Sequence, residues 1–441
     1  MALLDLTPRP PAAPTLAQHP VIVIGAGPIG LAAAANLLER DIDVVIVEAG
    51  PSAGASIRAW GHTRLFSPWE FLVDPASRRL LEAAGWERPK PTFVPTGDEL
   101  VTQYLEPLAA LPQISSRLLT ATTVVGVTKR GMDRTRSIGR ASTPYVVRMR
   151  TADGSENELL ARAVIDASGT YLTPNPLGAN GLEPLGFATV ADRVLTALPD
   201  VVGVDRARLA GRHVTVVGAG HSAANTLIAL GRLQRDEPAT TISWLIRSAS
   251  AQRITSSDDD GLAGRALLGS RVDRLVAAGT VQLVDEFEIG GARLDDNGNG
   301  NGVVLTGTRN GEPAEHTTDV VVSATGFRPD LGMLRELRLE LDDVVEAPRR
   351  LAPLIDPNHH SCGTVEPHGF RELAHPDAGF FIVGMKSYGR APTFLLATGY
   401  EQVRSVVAWI GGDMASALAV QLDLPATGVC STDDVSGSCC S

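Results

Sequence analysis

Short runs of β-branched and aliphatic residues alternate with alanine-rich stretches of helical period along most of this chain. Val21–Ile24 is a continuous apolar run, the pattern of a strand buried on both faces of a parallel sheet. Ile29–Glu39 follows, and its small residues Ala32, Ala33, Ala34 and Ala35 predict a helix packed closely on that sheet. Val44–Val47 is the next strand. The same order returns as a strand at His213–Val217, a helix at Ser222–Leu233 and a strand at Thr241–Ile246. Further strands are expected at Tyr145–Arg150, Ala163–Ile165, Val320–Ser323 and Phe380–Val383, with a helix from about Thr393 to Trp409. Strands and helices in this alternation predict an α/β protein built on two Rossmann-like units, the second inserted into the first.

Turn chemistry places the joints. A turn-rich segment, Thr173–Gly186, leads away from Ser168-Gly169-Thr170, and Asp295–Gly302 has the composition of a hairpin loop. The expected division is a proline-rich flexible leader over 1–19, a nucleotide domain over 20–205, an inserted domain over 206–323, a return to the first domain over 324–412, and a flexible tail over 413–441. The leader lacks the basic start and long apolar centre of a secretion signal. The most apolar stretch, Val21–Leu38, is broken by Gly25, Gly27, Pro28 and Gly30, so no membrane span is expected and the cytoplasm is the expected location.

Composition narrows the partners. The chain of 441 residues carries a formal charge of −11, which gives nucleic acid or anionic lipid no basic surface to recognise. Of the four cysteines, three lie in the last dozen residues, so no disulfide framework holds the body together. A small-molecule substrate is expected, and a homodimer is left open.

The candidate chemistry lies at the two strand-to-helix turns. Gly25-Ala26-Gly27-Pro28-Ile29-Gly30 fits G-x-G-x-x-G. The first glycine permits the turn, the second lets a pyrophosphate approach the backbone, and the third lets the helix pack on the strand. The pyrophosphate then meets free N–H groups at a helix N-terminus. Glu48 closes the next strand at about the spacing of 20 expected of an acid that binds a ribose. Gly218-Ala219-Gly220-His221-Ser222-Ala223 repeats the pattern with alanine in the third place, and the following strand is capped by Arg247. An acid there would repel a 2′-phosphate, whereas an arginine can pair with it, so NADPH is favoured over NADH. The alternative for Arg247 is a solvated strand end. Arg253 is a possible helper, and His221 reads as a turn residue beside the pyrophosphate more than as a catalyst.

Adjacent Cys439 and Cys440, with Cys430 upstream, are soft ligands for a thiophilic metal or metalloid such as arsenic(III) or mercury(II). The alternative is a tail whose thiols have no specific role. Cys362 follows His359, His360 and Ser361 in a loop better read as surface or cavity wall than as a metal cluster.

On these motifs the chain resembles the two-dinucleotide-binding-domain flavoproteins, the group holding flavin-containing monooxygenases and pyridine nucleotide-disulfide reductases. The resemblance covers roughly residues 20–412. It extends to the turn ending at Gly169, the return strand with Thr325 and Gly326, the strand ending at Gly384, and the segments Pro95–Leu100 and Tyr104-Leu105. It implies FAD in the first site and NADPH in the second, with the helix after Thr393 aimed at the flavin. Arg58, Trp60, Arg64 and Trp69 then become candidates for the flavin pocket wall, with packing an equal alternative for the tryptophans. No catalytic side chain is assigned.

Two departures qualify the resemblance. No C-x-x-C or C-x4-C pair is present, which argues against dithiol reduction. The stretch Gly169–Gly178 lacks the histidine of the monooxygenase fingerprint F-x-G-x-x-x-H. The stretch Asn175–Gly181 and the cysteine tail are also similar to flavoproteins encoded beside arsenic-resistance genes. The implied activity is oxygenation of a small soft nucleophile (sulfur, nitrogen or trivalent arsenic, arsenite included) through a flavin hydroperoxide. The alternatives are a reductase of a metalloid, quinone or protein, and a flavin-containing metalloid sensor or chaperone.

Overall fold

A computed structural model describes residues 14–250, 263–295, 302–356, 365, 367–391 and 394–422. The chain forms two compact units. One runs to Leu172 and resumes at Arg328; the other spans Thr173–Phe327.

The first unit is built on a five-stranded parallel sheet of order β16-β7-β1-β2-β3. Its strands are β1 (Val21–Ile24), β2 (Val44–Val47), β3 (Leu118–Leu119), β7 (Ala163–Asp166) and β16 (Phe380–Ile382). Helix α1 (Pro28–Leu38) is buried at every position from Pro28 to Leu37, so its apolar surface runs all round. It packs against helix α4 (Leu396–Ile410). Trp409 of α4 meets Phe381 of β16 edge-on, with ring centroids 5.3 Å apart. The other face of the sheet is covered by an antiparallel meander of β4 (Thr122–Lys129), β5 (Tyr145–Thr151) and β6 (Glu156–Ala161). Ile22, Ile24, Val47 and Phe380 form one core with Val124, Val147 and Met149 of the meander. A buried two-pronged ion pair closes this layer, with Arg140 reaching the Asp377 carboxylate at 2.6 and 2.7 Å.

The second unit repeats the design. Its parallel sheet has the order β11-β10-β9-β15-β8. The strands are β8 (Val194–Thr196), β9 (His213–Val217), β10 (Thr241–Leu245), β11 (Gln282–Val284) and β15 (Val320–Ser323). Helix α2 (His221–Asp236) follows β9 and packs against α3 (Ala263–Ala277). A second meander, β12 (Phe287–Leu294), β13 (Val303–Arg309) and β14 (Glu312–Thr318), shares a core with Val217, Leu245, Val284 and Val321.

The structure departs from the expected division at four places. The second unit begins at Thr173 and not at 206, because β8 pairs in parallel with β15 and belongs to that sheet. It ends at Phe327 and not at 323, because Asn175 and Thr325 bond each other: Asn175 Nδ2 donates to the Thr325 carbonyl at 3.1 Å and Thr325 Oγ1 to the Asn175 carbonyl at 2.7 Å. The expected tail starts with structure, since helix α5 (Met414–Leu418) is capped by the Asp413 carboxylate and held by Ser405 Oγ, which donates to the Ala417 carbonyl at 2.6 Å. The end of the expected leader is also built in: Pro14–Ala17 is a helical turn and Leu16 is buried. Strands β12 and β13 flank the expected hairpin loop, whose residues 296–301 lie outside the described residues. Among the described residues, no helix is long and apolar enough to cross a membrane.

Candidate functional site

Each glycine turn stands at the C-terminal edge of a parallel sheet, where open α/β folds place their ligands. In the first unit, Gly25 has φ +98°, and a Cβ there would lie 2.8 Å from the Ala167 carbonyl oxygen. A Cβ on Gly30 would lie 1.9 Å from the Gly25 carbonyl oxygen. Both glycines are therefore demanded by the protein itself. Gly27 is different. Its backbone is extended at φ −78°, ψ −173°, and a Cβ would meet nothing within 4 Å. Neither backbone strain nor packing requires glycine there, but a ligand laid against the backbone would. Gly27 also caps α1 without a side chain, and Pro28 occupies its first turn, so the helix N-terminus is left for an outside anion.

The second turn repeats this division. Gly218 has φ +124°, and a Cβ would lie 2.2 Å from the Ala324 carbonyl oxygen. Gly220 caps α2 with extended backbone at φ −102°, ψ −179°, and a Cβ would again meet nothing within 4 Å. His221 and Ser222 are half-buried in the first turn of α2, and Ala223 is fully buried in the place of a third glycine. Two turns thus present the cradle that a dinucleotide pyrophosphate needs, so the residues present fit such a group.

Around the first turn, Glu48 accepts from Ala26 N–H at 2.7 Å through one oxygen and from Gly50 N–H at 2.7 Å through the other. A carboxylate has about four acceptor positions, so a ribose diol can still share it. Gly384, at φ +69°, is drawn to the same place, since a Cβ on it would lie 3.1 Å from Ile29. Gly399, in the first turn of α4, also faces Ile29, at 2.5 Å from a built Cβ to Ile29 Cδ1. Gly169, at φ +69°, ends the turn that touches Gly25. Thr393 lies outside the described residues, as do Arg253, Cys362, Cys430, Cys439 and Cys440. Around the second turn stand Thr325 and Gly326, the latter 3.2 Å from Asn175 Nδ2 to a built Cβ. Arg247 is exposed, with Nη1 donating to the Ala179 carbonyl at 3.3 Å.

Of the other first-unit candidates, Arg58 and Arg64 are exposed, and Trp60 is half-buried, its ring 3.0 Å from a Cβ built on Gly97. Trp69 is fully buried in the core. Arg58 pairs with Glu106, and Arg64 lies 5.5 Å from the Phe93 ring centre. Thr96 and Glu99 form a reciprocal helix cap, and Tyr104 is buried with its hydroxyl accepting from Asp74 N–H at 3.2 Å. Among the described residues, no cluster of three or more His, Cys, Asp or Glu could hold a metal ion.

A buried polar network that the sequence did not reveal lies beside the first turn. Lys386 Nζ lies 2.7 Å from Asp166 Oδ2 and 3.0 Å from Ser168 Oγ, and the two charged side chains are 1% and 0% exposed. Gln402 of α4 accepts from Gly384 N–H at 2.7 Å and donates to Ser387 Oγ at 2.9 Å. The available signal was Asp166 itself, an acid closing an otherwise apolar buried strand, which calls for a cation nearby.

Comparison with known proteins agrees with this architecture. Residues 22–362 match the pyridine nucleotide-disulphide oxidoreductase family. No curated protein matches the sequence. Among solved structures, the chain is similar to a bacillithiol disulfide reductase, Bdr (YpdA), from Bacillus cereus. That match has 20% identity, covers 89% of this chain and 99% of the other, and has a TM-score of 0.65. It is also similar to a flavin-containing monooxygenase from Stenotrophomonas maltophilia, at 21% identity, 89% and 98% coverage and a TM-score of 0.57. A third is the cadaverine monooxygenase DfoA from Erwinia amylovora, at 16% identity, 94% and 99% coverage and a TM-score of 0.60. At these identities the structural likeness speaks for the fold. The glycine turns and paired parallel sheets fit an oxidoreductase that works with a pyridine nucleotide. The chain belongs to the pyridine nucleotide-disulphide oxidoreductase family.

Proposed function

We propose that FAD lies in the first cleft and NADPH in the second, and that the enzyme oxygenates a small soft nucleophile: organic sulfur, nitrogen or trivalent arsenic. The observation that carries the reading is the pair Gly27 and Gly220, each facing open space where the protein gives no reason for glycine. FAD, when bound, supplies the redox chemistry, and the chain supplies binding, orientation and electrostatics. The N–H groups at the start of α1 hold the FAD pyrophosphate, and Glu48 takes the ribose. Gly169 and Gly384 leave room along the cleft, and α4 turns its N-terminus toward it. Gly218, Gly220, His221, Ser222 and Ala223 hold the second pyrophosphate, with Thr325 and Gly326 beside it. Arg247 selects NADPH by pairing with the 2′-phosphate. The missing C-x-x-C and C-x4-C pairs favour oxygen over a protein dithiol route.

The similarity in fold to a bacillithiol disulfide reductase keeps a reductase reading in view. A third reading has the tail thiols Cys430, Cys439 and Cys440 capture a metalloid for a slow-turning flavin sensor. The test is NADPH consumption by the purified flavoprotein, with and without oxygen, using arsenite and organic sulfides or amines. Oxygen-dependent consumption coupled to product formation is expected. Anaerobic turnover with an acceptor would replace the proposal with the reductase, and tight arsenite binding without turnover would replace it with the sensor. If removal of residues 425–441 leaves the arsenite response unchanged, the tail has no part in it.

A further inference from the structure

The two units supply an internal control. Their sheets correspond strand for strand, β16-β7-β1-β2-β3 against β8-β15-β9-β10-β11. The turn after β7 reads Asp166-Ala167-Ser168-Gly169, and the turn after β15 reads Ser323-Ala324-Thr325-Gly326. In both, the alanine carbonyl abuts the first glycine of the neighbouring loop. In both, the third side chain reaches back to the first. Ser168 Oγ donates to Asp166 Oδ1 at 2.6 Å, and Ser323 Oγ lies 3.3 Å from Thr325 Oγ1. The second turn makes the same shape with hydroxyls alone, so the backbone needs no charge here.

The first turn nevertheless carries a complete buried ion pair. Lys386 comes from the segment after β16, two residues beyond Gly384. Leu198 stands in the place of Gly384 after β8, and the two share a positive φ of 61° and 69°. Asp200 therefore occupies the place of Lys386, and it turns to its own loop, accepting from Gly203 N–H at 2.9 Å. Desolvating two charges costs several kcal/mol per ion, and a neutral pair of similar volume is often as stable or more so. Folding of the turn alone does not account for Lys386 and Asp166. Their network opens outward at Ser168, which is exposed although its Oγ touches both buried charges.

We infer that the Lys386–Asp166 pair, opening through Ser168 beside Gly25, sets the reduction potential of the flavin in the first cleft. The inference rests on FAD occupying that cleft. Reduction places negative charge on the flavin, and buried charges act on it with little screening. The ammonium favours the reduced form and the carboxylate opposes it, so the pair holds the potential between two extremes.

The test is a redox titration of the FAD-loaded enzyme against a reference dye. Asp166→Asn leaves the ammonium unopposed and raises the ratio of reduced to oxidised flavin at a fixed poise several-fold. Lys386→Met leaves the carboxylate unopposed and lowers that ratio several-fold. Opposite shifts are a signature that loosened packing alone would not give. The double variant Asp166→Ser/Lys386→Met reproduces the neutral turn of the second unit, folds, and has a potential between those of the two single variants. Shifts of one sign in both single variants, or none in either, overturn the inference. If these single variants do not fold, Asp166→Ser and Lys386→Gln are read in the same titration: shifts of opposite sign support the inference, and shifts of one sign or none overturn it. Wild-type protein that folds but takes up no FAD overturns the assignment of the cleft instead, which keeps the two failures apart.

Discussion

The turns at Gly25 and Gly218 meet one steric problem with different tolerances. A methyl at Gly30 would sit 1.9 Å from a carbonyl oxygen, while the second turn carries the methyl of Ala223, fully buried, in the corresponding place. The first turn is flanked by the carboxylate of Glu48 and has a buried ion pair beneath it. The second is flanked by Arg247 and has hydroxyls beneath it. The parts that build the sheet are the same in both units, and the parts that face a ligand differ. On the proposed assignment, a tight turn over a buried ion pair suits a resident flavin, and a turn over hydroxyls with room for a methyl suits a nucleotide that must leave after each turnover.

The largest effect is expected from Gly30→Ala against its mirror, Ala223→Gly. The first drives a methyl into backbone and should cost about 3 kcal/mol or more, with loss of flavin. The second should cost only about 1 kcal/mol, the ordinary penalty of glycine in a helix. Thermal melts with flavin content check both, and a flavin-loaded Gly30→Ala protein would break the contrast in tightness.

Gly27→Ala and Gly220→Ala come next. Nothing stands in the way of either methyl, so the fold should survive with a loss of about 1 kcal/mol at the helix cap. Gly27→Ala should weaken FAD about tenfold or more and spare NADP+, and Gly220→Ala should do the reverse, because a 1.4 kcal/mol clash with a ligand is tenfold in affinity. Titration of each variant with both nucleotides separates the clefts. Arg247→Ala should raise KM for NADPH about tenfold and leave NADH nearly unchanged, since a charge-assisted bond contributes about 1.5–3 kcal/mol. Equal losses for both nucleotides would return Arg247 to the role of a solvated strand end.

The smallest effect is a difference in acid response. In the second unit, burial lowers His316 from 6.5 to about 4 and also lowers His213. Unfolded histidines bind more protons between those values, so this unit loses stability as pH falls from 6.5 toward 4. In the first unit, burial likewise lowers His375 to about 4, but it raises Asp74 from 3.8 to about 6. Asp74 takes up its proton in the folded state first, so its contribution rises over the same fall in pH and offsets that of His375. Hydrogen exchange near pH 5 should therefore loosen β9 and β14 before β1 and β16. The opposite order would remove the offset from the account.

The glycine turns were legible because each glycine answers a backbone demand that recurs wherever a strand enters a helix at a pyrophosphate. Strands β1 and β2 were legible because four apolar residues in a row have few other uses, and β9 and β15 because β-branched residues dominate them. The start of the second unit was not, because β8 has three residues and its partner β15 lies far along the chain. The meanders were only partly visible, since β6 and β14 are largely polar and owe their pairing to neighbours. Lys386 was invisible in Met385-Lys386-Ser387 because a lone lysine just past a strand is usually solvated, and only the sheet order brings it to Asp166.

The central claim is that the two clefts hold different dinucleotides, FAD in the first and NADPH in the second. Hydrogen exchange on apoprotein, then with FAD, then with FAD and NADP+, reads it directly. The account predicts that FAD slows exchange over 25–31 and 166–170, and that NADP+ adds protection over 218–224. Protection by FAD at 218–224, or none at 25–31, would contradict it.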